Sequence, residues 1–70
     1  MTKPNYELSP IELGERLKTA RETANMTQDA AGKAVGIART TLVAIEEGQR
    51  NARLDEIQAL SRCYGISANM

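Results

Sequence analysis

"TQDAAGKAVGIARTTLVAIEEG", residues 27–48, is the stretch on which the fold turns. Thr27 suits a helix N-cap, and Asp29 lies favourably in the first turn that follows. Gly36 can close that helix in the left-handed conformation glycine tolerates. After a turn of a few residues a further helix is expected from about Ala38 to Glu47, stopped by Gly48, with Leu42 and Ile45 as its inner stripe. Between Thr27 and Gly36 the residues are unusually small: Ala30, Ala31, Gly32 and Ala34. Gly32 costs roughly 1 kcal/mol of helix propensity relative to alanine, so it needs a packing reason, and a neighbouring helix crossing very close is the simplest.

Working outward, "SPIE" at residues 9–12 is a start signal. Ser9 can cap, Pro10 suits the first helical position and Glu12 completes a capping box. Ile11, Leu13, Leu17, Ala20 and Ala24 then recur at helical spacing, which predicts a helix from Pro10 to Ala24. Met26 reads as a core plug in the turn after it. On the far side, "QRNAR" at 49–53 is a polar loop, followed by a helix over Leu54–Tyr64 with Leu54, Ile57, Leu60, Ser61 and Tyr64 inward. Gly65 with Ile66 resembles a glycine stop with its apolar follow-on contact. No strand pattern appears. The expected fold class is therefore all-α, a compact bundle of four to five short helices containing a helix-turn-helix. Residues 1–8 are expected to form a disordered arm, 9–67 the domain, and 68–70 a truncated or frayed tail.

Composition narrows the function. Seventy residues make one domain at most, and with no Phe or Trp its core must be aliphatic. Nine basic and nine acidic side chains cancel, which argues against a nonspecific nucleic-acid coat but not against a site built from a few placed arginines. The lone Cys63 excludes an internal disulfide, fits a reducing cytoplasm, and reads as filler rather than a redox centre. No apolar run approaches the roughly 20 residues that span a bilayer, and no signal-peptide pattern opens the chain. With no His and one Cys, a metal site would need carboxylates alone, so no metal or cofactor is expected. An enzyme is not expected either: no nucleophile sits with a base, and the adjacent Glu46 and Glu47 diverge by about 100 degrees around a helix.

What remains is two short helices joined by a tight glycine-containing turn, the arrangement of a helix-turn-helix. An α-helix fits the major groove of DNA, and its N-terminal residues reach base edges first. Arg39 there is a bidentate donor suited to guanine, while Thr40 and Thr41 supply hydroxyls for base or phosphate. Val43 and Ala44, one turn on, are expected outward, where they could touch thymine methyls.

From Leu13 to Ser67 the chain also resembles the lambda-repressor-like helix-turn-helix domain of the Cro and xenobiotic-response-element regulators. The matching segments are "LGERLKTARE", "MTQDAAGKAVGI", "RTTLVAIEEGQRN" and "LDEIQALSRCYGIS". The resemblance implies a bacterial transcriptional regulator, cytoplasmic and on the nucleoid when bound, that reads a duplex operator, in some members as a homodimer. Carried over by position, Arg39, Thr40, Val43 and Ala44 match base-facing residues. Gln28, Gln49, Arg50, Asn51 and Arg53 match phosphate-facing ones, Gln28 also matching a residue that braces the third helix, and Thr41 matches a position that contacts phosphate or base. Arg21 and Glu46 match a structural ion pair between the first and third helices. Such domains also serve as the N-terminal module of larger regulators.

Departures from the family pattern shape the expectation. Ala38 stands where a Ser or Thr cap is usual, Ala31 where leucine is preferred and Ala52 where proline is common. The family's fifth helix, often part of a dimer contact, falls beyond Met70. With Val43 and Ala44 less polar than many recognition helices carry, more of the affinity is expected from phosphates and DNA shape. The competing reading is a protein-interaction module of the same fold, docking a partner through Val43, Ala44 and nearby loops.

Overall fold

In the computed structural model, residues 9–66 are described; the expected arm at 1–8, the tail at 68–70 and Ser67 at the domain's expected end lie outside them. Four helices account for the described residues: α1 Pro10–Thr23, α2 Gln28–Val35, α3 Arg39–Glu46 and α4 Leu54–Tyr64. Both α1 and α2 pack against α3 and against α4, so the recognition-helix candidate α3 is held from two sides.

Local chemistry places the helix ends. Ser9 Oγ accepts the Glu12 N–H at 3.2 Å while Glu12 accepts the Ser9 N–H at 3.1 Å, closing the capping box reciprocally. Thr27 Oγ1 accepts the Ala30 N–H at 3.0 Å at the head of α2. Ala38, the N-cap of α3, has no side chain able to do the same. At the head of α4, Glu56 accepts the Arg53 N–H at 2.9 Å. Arginine carries no acceptor, so the reciprocal half of a capping box is closed to Arg53.

All four helices end alike. A residue at positive φ follows each one, and the next N–H reaches back five residues: Met26 to Arg21 O, Ile37 to Gly32 O, Gln49 to Ala44 O and Ile66 to Ser61 O. Glycine fills the left-handed position after α2, α3 and α4, but Asn25, at φ 60°, fills it after α1.

The core is Leu17, Ala31, Leu42, Ile45, Leu60 and Tyr64, all buried, with Ser61 fully enclosed beside them. Met26 packs on its edge, and the Cys63 thiol donates to Met26 Sδ at 3.6 Å. Two expected core residues are not in it. Leu54 is 69% exposed and Ile11 60%; both lie in the first turn of their helices.

Close approach occurs as well, but not where Gly32 alone suggested a helix crossing. A β-carbon at Gly32 would meet Ile37 O at 2.6 Å, the carbonyl of the turn into α3. The close helix crossing falls at Gly14 of α1, where a β-carbon would run into Ile45 O and sit 2.6 Å from Glu46 O at the end of α3. Gly32 thus lets the turn fold back over α2, and Gly14 lets α3 lie directly on α1.

Candidate nucleic-acid interface

The helix-turn-helix is built from α2, a turn of Gly36–Ala38 and α3. Gly36 takes φ 75°, which reverses the chain at once, and Gly32 makes room for the returning carbonyl. Leu42 and Ile45 anchor α3 from beneath, which fixes the opposite side outward. Arg39 and Thr40 at the head of α3 are exposed, and Thr41 is half-buried. Val43 and Ala44, expected outward, are half-buried too and offer only part of their surface. No carboxylate among the described residues pairs with Arg39, and the first turn of α3 holds no acid.

At the other end of α3, where Glu46 closes the helix, lies a buried polar brace. Arg21 Nε donates to Glu46 Oε2 at 2.7 Å and Arg21 Nη2 to Glu46 Oε1 at 3.1 Å. Gln28 Nε2 donates to the same Oε1 at 3.0 Å, and Arg21 Nη1 donates to Met26 O at 2.8 Å. One carboxylate therefore joins α1, α2 and α3, and one guanidinium also ties down the α1–α2 turn. The hydrogen bond to Glu46 raises the Arg21 pKa above the usual arginine value, outweighing burial. Gln28, matched above to a phosphate contact, spends one amide N–H on this brace. Tyr64 is packed close enough to feel both charges; burial, then the Glu46 charge, pushes its hydroxyl up to about 12.

The α3–α4 loop is arranged differently from what its sequence suggested. Gln49 and Asn51 are exposed. Arg50, though, makes a bidentate pair with Glu56, Nη1 to Oε1 at 2.9 Å and Nη2 to Oε2 at 3.2 Å, and Nη1 also donates to Asn51 O at 3.2 Å. Arg53 pairs with Asp55, Nε to Oδ1 at 3.2 Å and Nη2 to Oδ2 at 3.0 Å. These pairs hold both carboxyls below their ordinary range: Glu56 through its hydrogen bonds from Arg50 and from the Arg53 amide, Asp55 through its bond from Arg53. The two arginines matched to phosphate contacts are thus each occupied by a carboxylate in the first turn of α4. Sequence reasoning missed both pairs, which form because the first turn of α4 is brought against the loop.

No cluster of potential metal ligands occurs among the described residues, and no helix there is long and apolar enough to cross a membrane. The chain resembles a solved structure of the restriction-modification controller protein C.AhdI from Aeromonas hydrophila, with 27% identity and a TM-score of 0.80 over 84% of this chain and 89% of that one. A comparison with curated proteins finds no match. Residues 12–70 match the family model of the helix-turn-helix domain, and the chain belongs to that family.

Proposed function

We propose that the chain is a sequence-specific duplex-DNA-binding domain of a bacterial transcriptional regulator, with α3 docked in the major groove. The observation that carries this reading is the exposed Arg39, without a carboxylate partner among the described residues, at the head of a helix whose other side is anchored by Leu42 and Ile45. Membership of the helix-turn-helix family and likeness to a controller protein support it. Arg39 donates to a guanine edge, Thr40 to a neighbouring base, and Val43 and Ala44 offer their exposed surface to thymine methyls. Thr41, Gln28 with its remaining amide N–H, Gln49, Asn51 and Arg53 approach phosphates. Arg50 reaches a phosphate only with donors that Glu56 leaves over, and its larger part is to stiffen the loop.

Binding to a palindrome would use two copies, with half-sites about 34 Å apart along the duplex. The protein-interaction reading draws its support from the neutralised loop arginines, which weaken the basic footprint usual at a DNA surface. Methylation interference separates the two. If α3 reads the major groove, methylation of guanine N7 blocks binding at discrete positions while methylation of adenine N3, in the minor groove, does not. Retention of no duplex at low salt, or interference confined to adenine N3, overturns the proposal.

A further inference from the structure

The loop carboxylates fall into two kinds. Glu56 is largely sheltered, its side chain only 12% exposed, and it holds Arg50 and the Arg53 amide together, so it belongs to the framework of α4. Asp55 is different. It and Arg53 are each 68% exposed in the side chain, and their fork-to-fork pair links no other element. A carboxylate in that position takes the same edge of the guanidinium that a phosphate takes, since both anions are recognised by two parallel N–H donors. The segment Gln49–Glu56 holds Arg50 and Arg53 against Asp55 and Glu56 and so carries no net charge.

We propose that Asp55 is an internal competitor of the DNA phosphate for Arg53, so that docking of the α3–α4 loop exchanges one anion for another and Asp55 sets the affinity of the domain. The inference rests on the duplex-binding reading. When Arg53 leaves Asp55 for a phosphate, the released carboxylate faces the backbone and gathers a cation in place of the one the phosphate sheds. Arg53 then adds little to the salt dependence of binding. Arg39, with no carboxylate partner among the described residues, carries no such offset. Low affinity for arbitrary DNA follows, because a phosphate alone gains little from the loop while the base contacts of α3 are missing.

The test is a cycle of wild type, Asp55→Asn, Arg53→Ala and the double variant, titrated by fluorescence anisotropy with one selected duplex at several salt concentrations. Thermal melts check that each variant is folded. Asp55→Asn is expected to bind roughly twofold to fivefold more tightly, the worth of one exposed ion pair, and to steepen the log–log salt slope by about 0.9, the contribution of one phosphate. In the Arg53→Ala background the same substitution is expected to gain clearly less, because only the repulsion between Asp55 and phosphate is left to relieve. An unchanged affinity for Asp55→Asn overturns the proposal, as does an equal gain in both backgrounds, which would be a general charge effect. Carboxyl-carbon NMR of the free protein provides a readout that needs no DNA: Asp55 titrates below the usual aspartate range in wild type and moves up towards it in Arg53→Ala, while the backbone hydrogen bonds at the head of α4 keep part of the lowering. A normal Asp55 titration in wild type overturns the competitor by itself. A depressed titration with no binding by any variant shows instead that the duplex-binding reading has failed.

Discussion

Replacing Arg21 with Met strikes the brace on which the pose of α3 depends. The Glu46 side chain is 2% exposed and accepts from Arg21 twice, at 2.7 and 3.1 Å, and from Gln28 once. Without Arg21 a buried carboxylate keeps a single neutral donor, which costs about 3–5 kcal/mol. A chain of this length has on the order of 3–10 kcal/mol of net stability in all, so Arg21→Met is expected to be partly or wholly unfolded at room temperature. Glu46→Leu should do comparable damage, because it strands a guanidinium whose side chain is 9% exposed. The double variant Arg21→Met, Glu46→Leu removes both charges together. It is expected to recover about 2 kcal/mol or more relative to the sum of the single losses, giving a large favourable coupling in the cycle. Urea unfolding followed by circular dichroism measures all four proteins. Single losses below about 1 kcal/mol, or losses that simply add, would refute the view that Glu46 is a buried charge satisfied by Arg21. A folded double variant also separates stability from pose, since α3 then lacks its tie to α1 and α2 and duplex binding should weaken.

Gly14→Ala places a β-carbon against backbone carbonyls of α3 that cannot rotate away, and should lose about 1–3 kcal/mol in urea unfolding despite alanine's better helix propensity. Gly36→Ala meets nothing within 4 Å and should cost only the strain of positive φ, about 1 kcal/mol. Equal losses at the two sites would contradict the close crossing of α1 and α3. Ala38→Ser supplies α3 with the cap acceptor it lacks, at an extended backbone of φ −62° and ψ 144°, and should raise stability by about 1 kcal/mol in thermal or urea melts. Tyr64 gives the pH dependence. Its folded pKa of about 12 exceeds the ordinary 10.0, so between those values the folded state keeps a proton the unfolded state has shed. Stability should therefore fall as pH rises from about 10 and level off beyond about 12, a total of about 2–3 kcal/mol. Tyrosinate absorbance of a Tyr6→Phe variant follows Tyr64 alone, and a midpoint near 10 would show that its hydroxyl is not buried.

What could be seen in the sequence was what neighbouring residues decide. Ser9 with Glu12, Thr27, and the glycines at 36, 48 and 65 act over three to five residues, so their roles follow from local spacing. Asn25 does the same work as those glycines, but asparagine is common in turns of many kinds and gave no distinct signal. What depends on elements meeting in space was less visible. Gly32 and Gly14 both mark close approach, yet only the packed helices show that the turn covers one and α3 the other. Leu54 fits the apolar stripe of α4 and is still exposed, because periodicity describes a face and not how far along it the neighbouring helices reach. The Arg21–Glu46 pairing came from family resemblance, since 25 residues separate the partners and spacing has nothing to say about them. In the loop, Arg50 and Arg53 looked like free cations when counted as charges. Their carboxylate partners become evident only when α4 begins so close that its first turn faces the loop.

Selection of bound duplexes from a random pool, run in parallel with the wild-type chain and with Arg39→Ala, tests the docking of α3 most directly. If the head of α3 reads base edges, wild type enriches a motif containing a guanine, and Arg39→Ala relaxes the preference at that position at a cost of about 1–3 kcal/mol in binding while the flanking preferences persist. The same motif recovered with both proteins, or none with wild type at low salt, would contradict it.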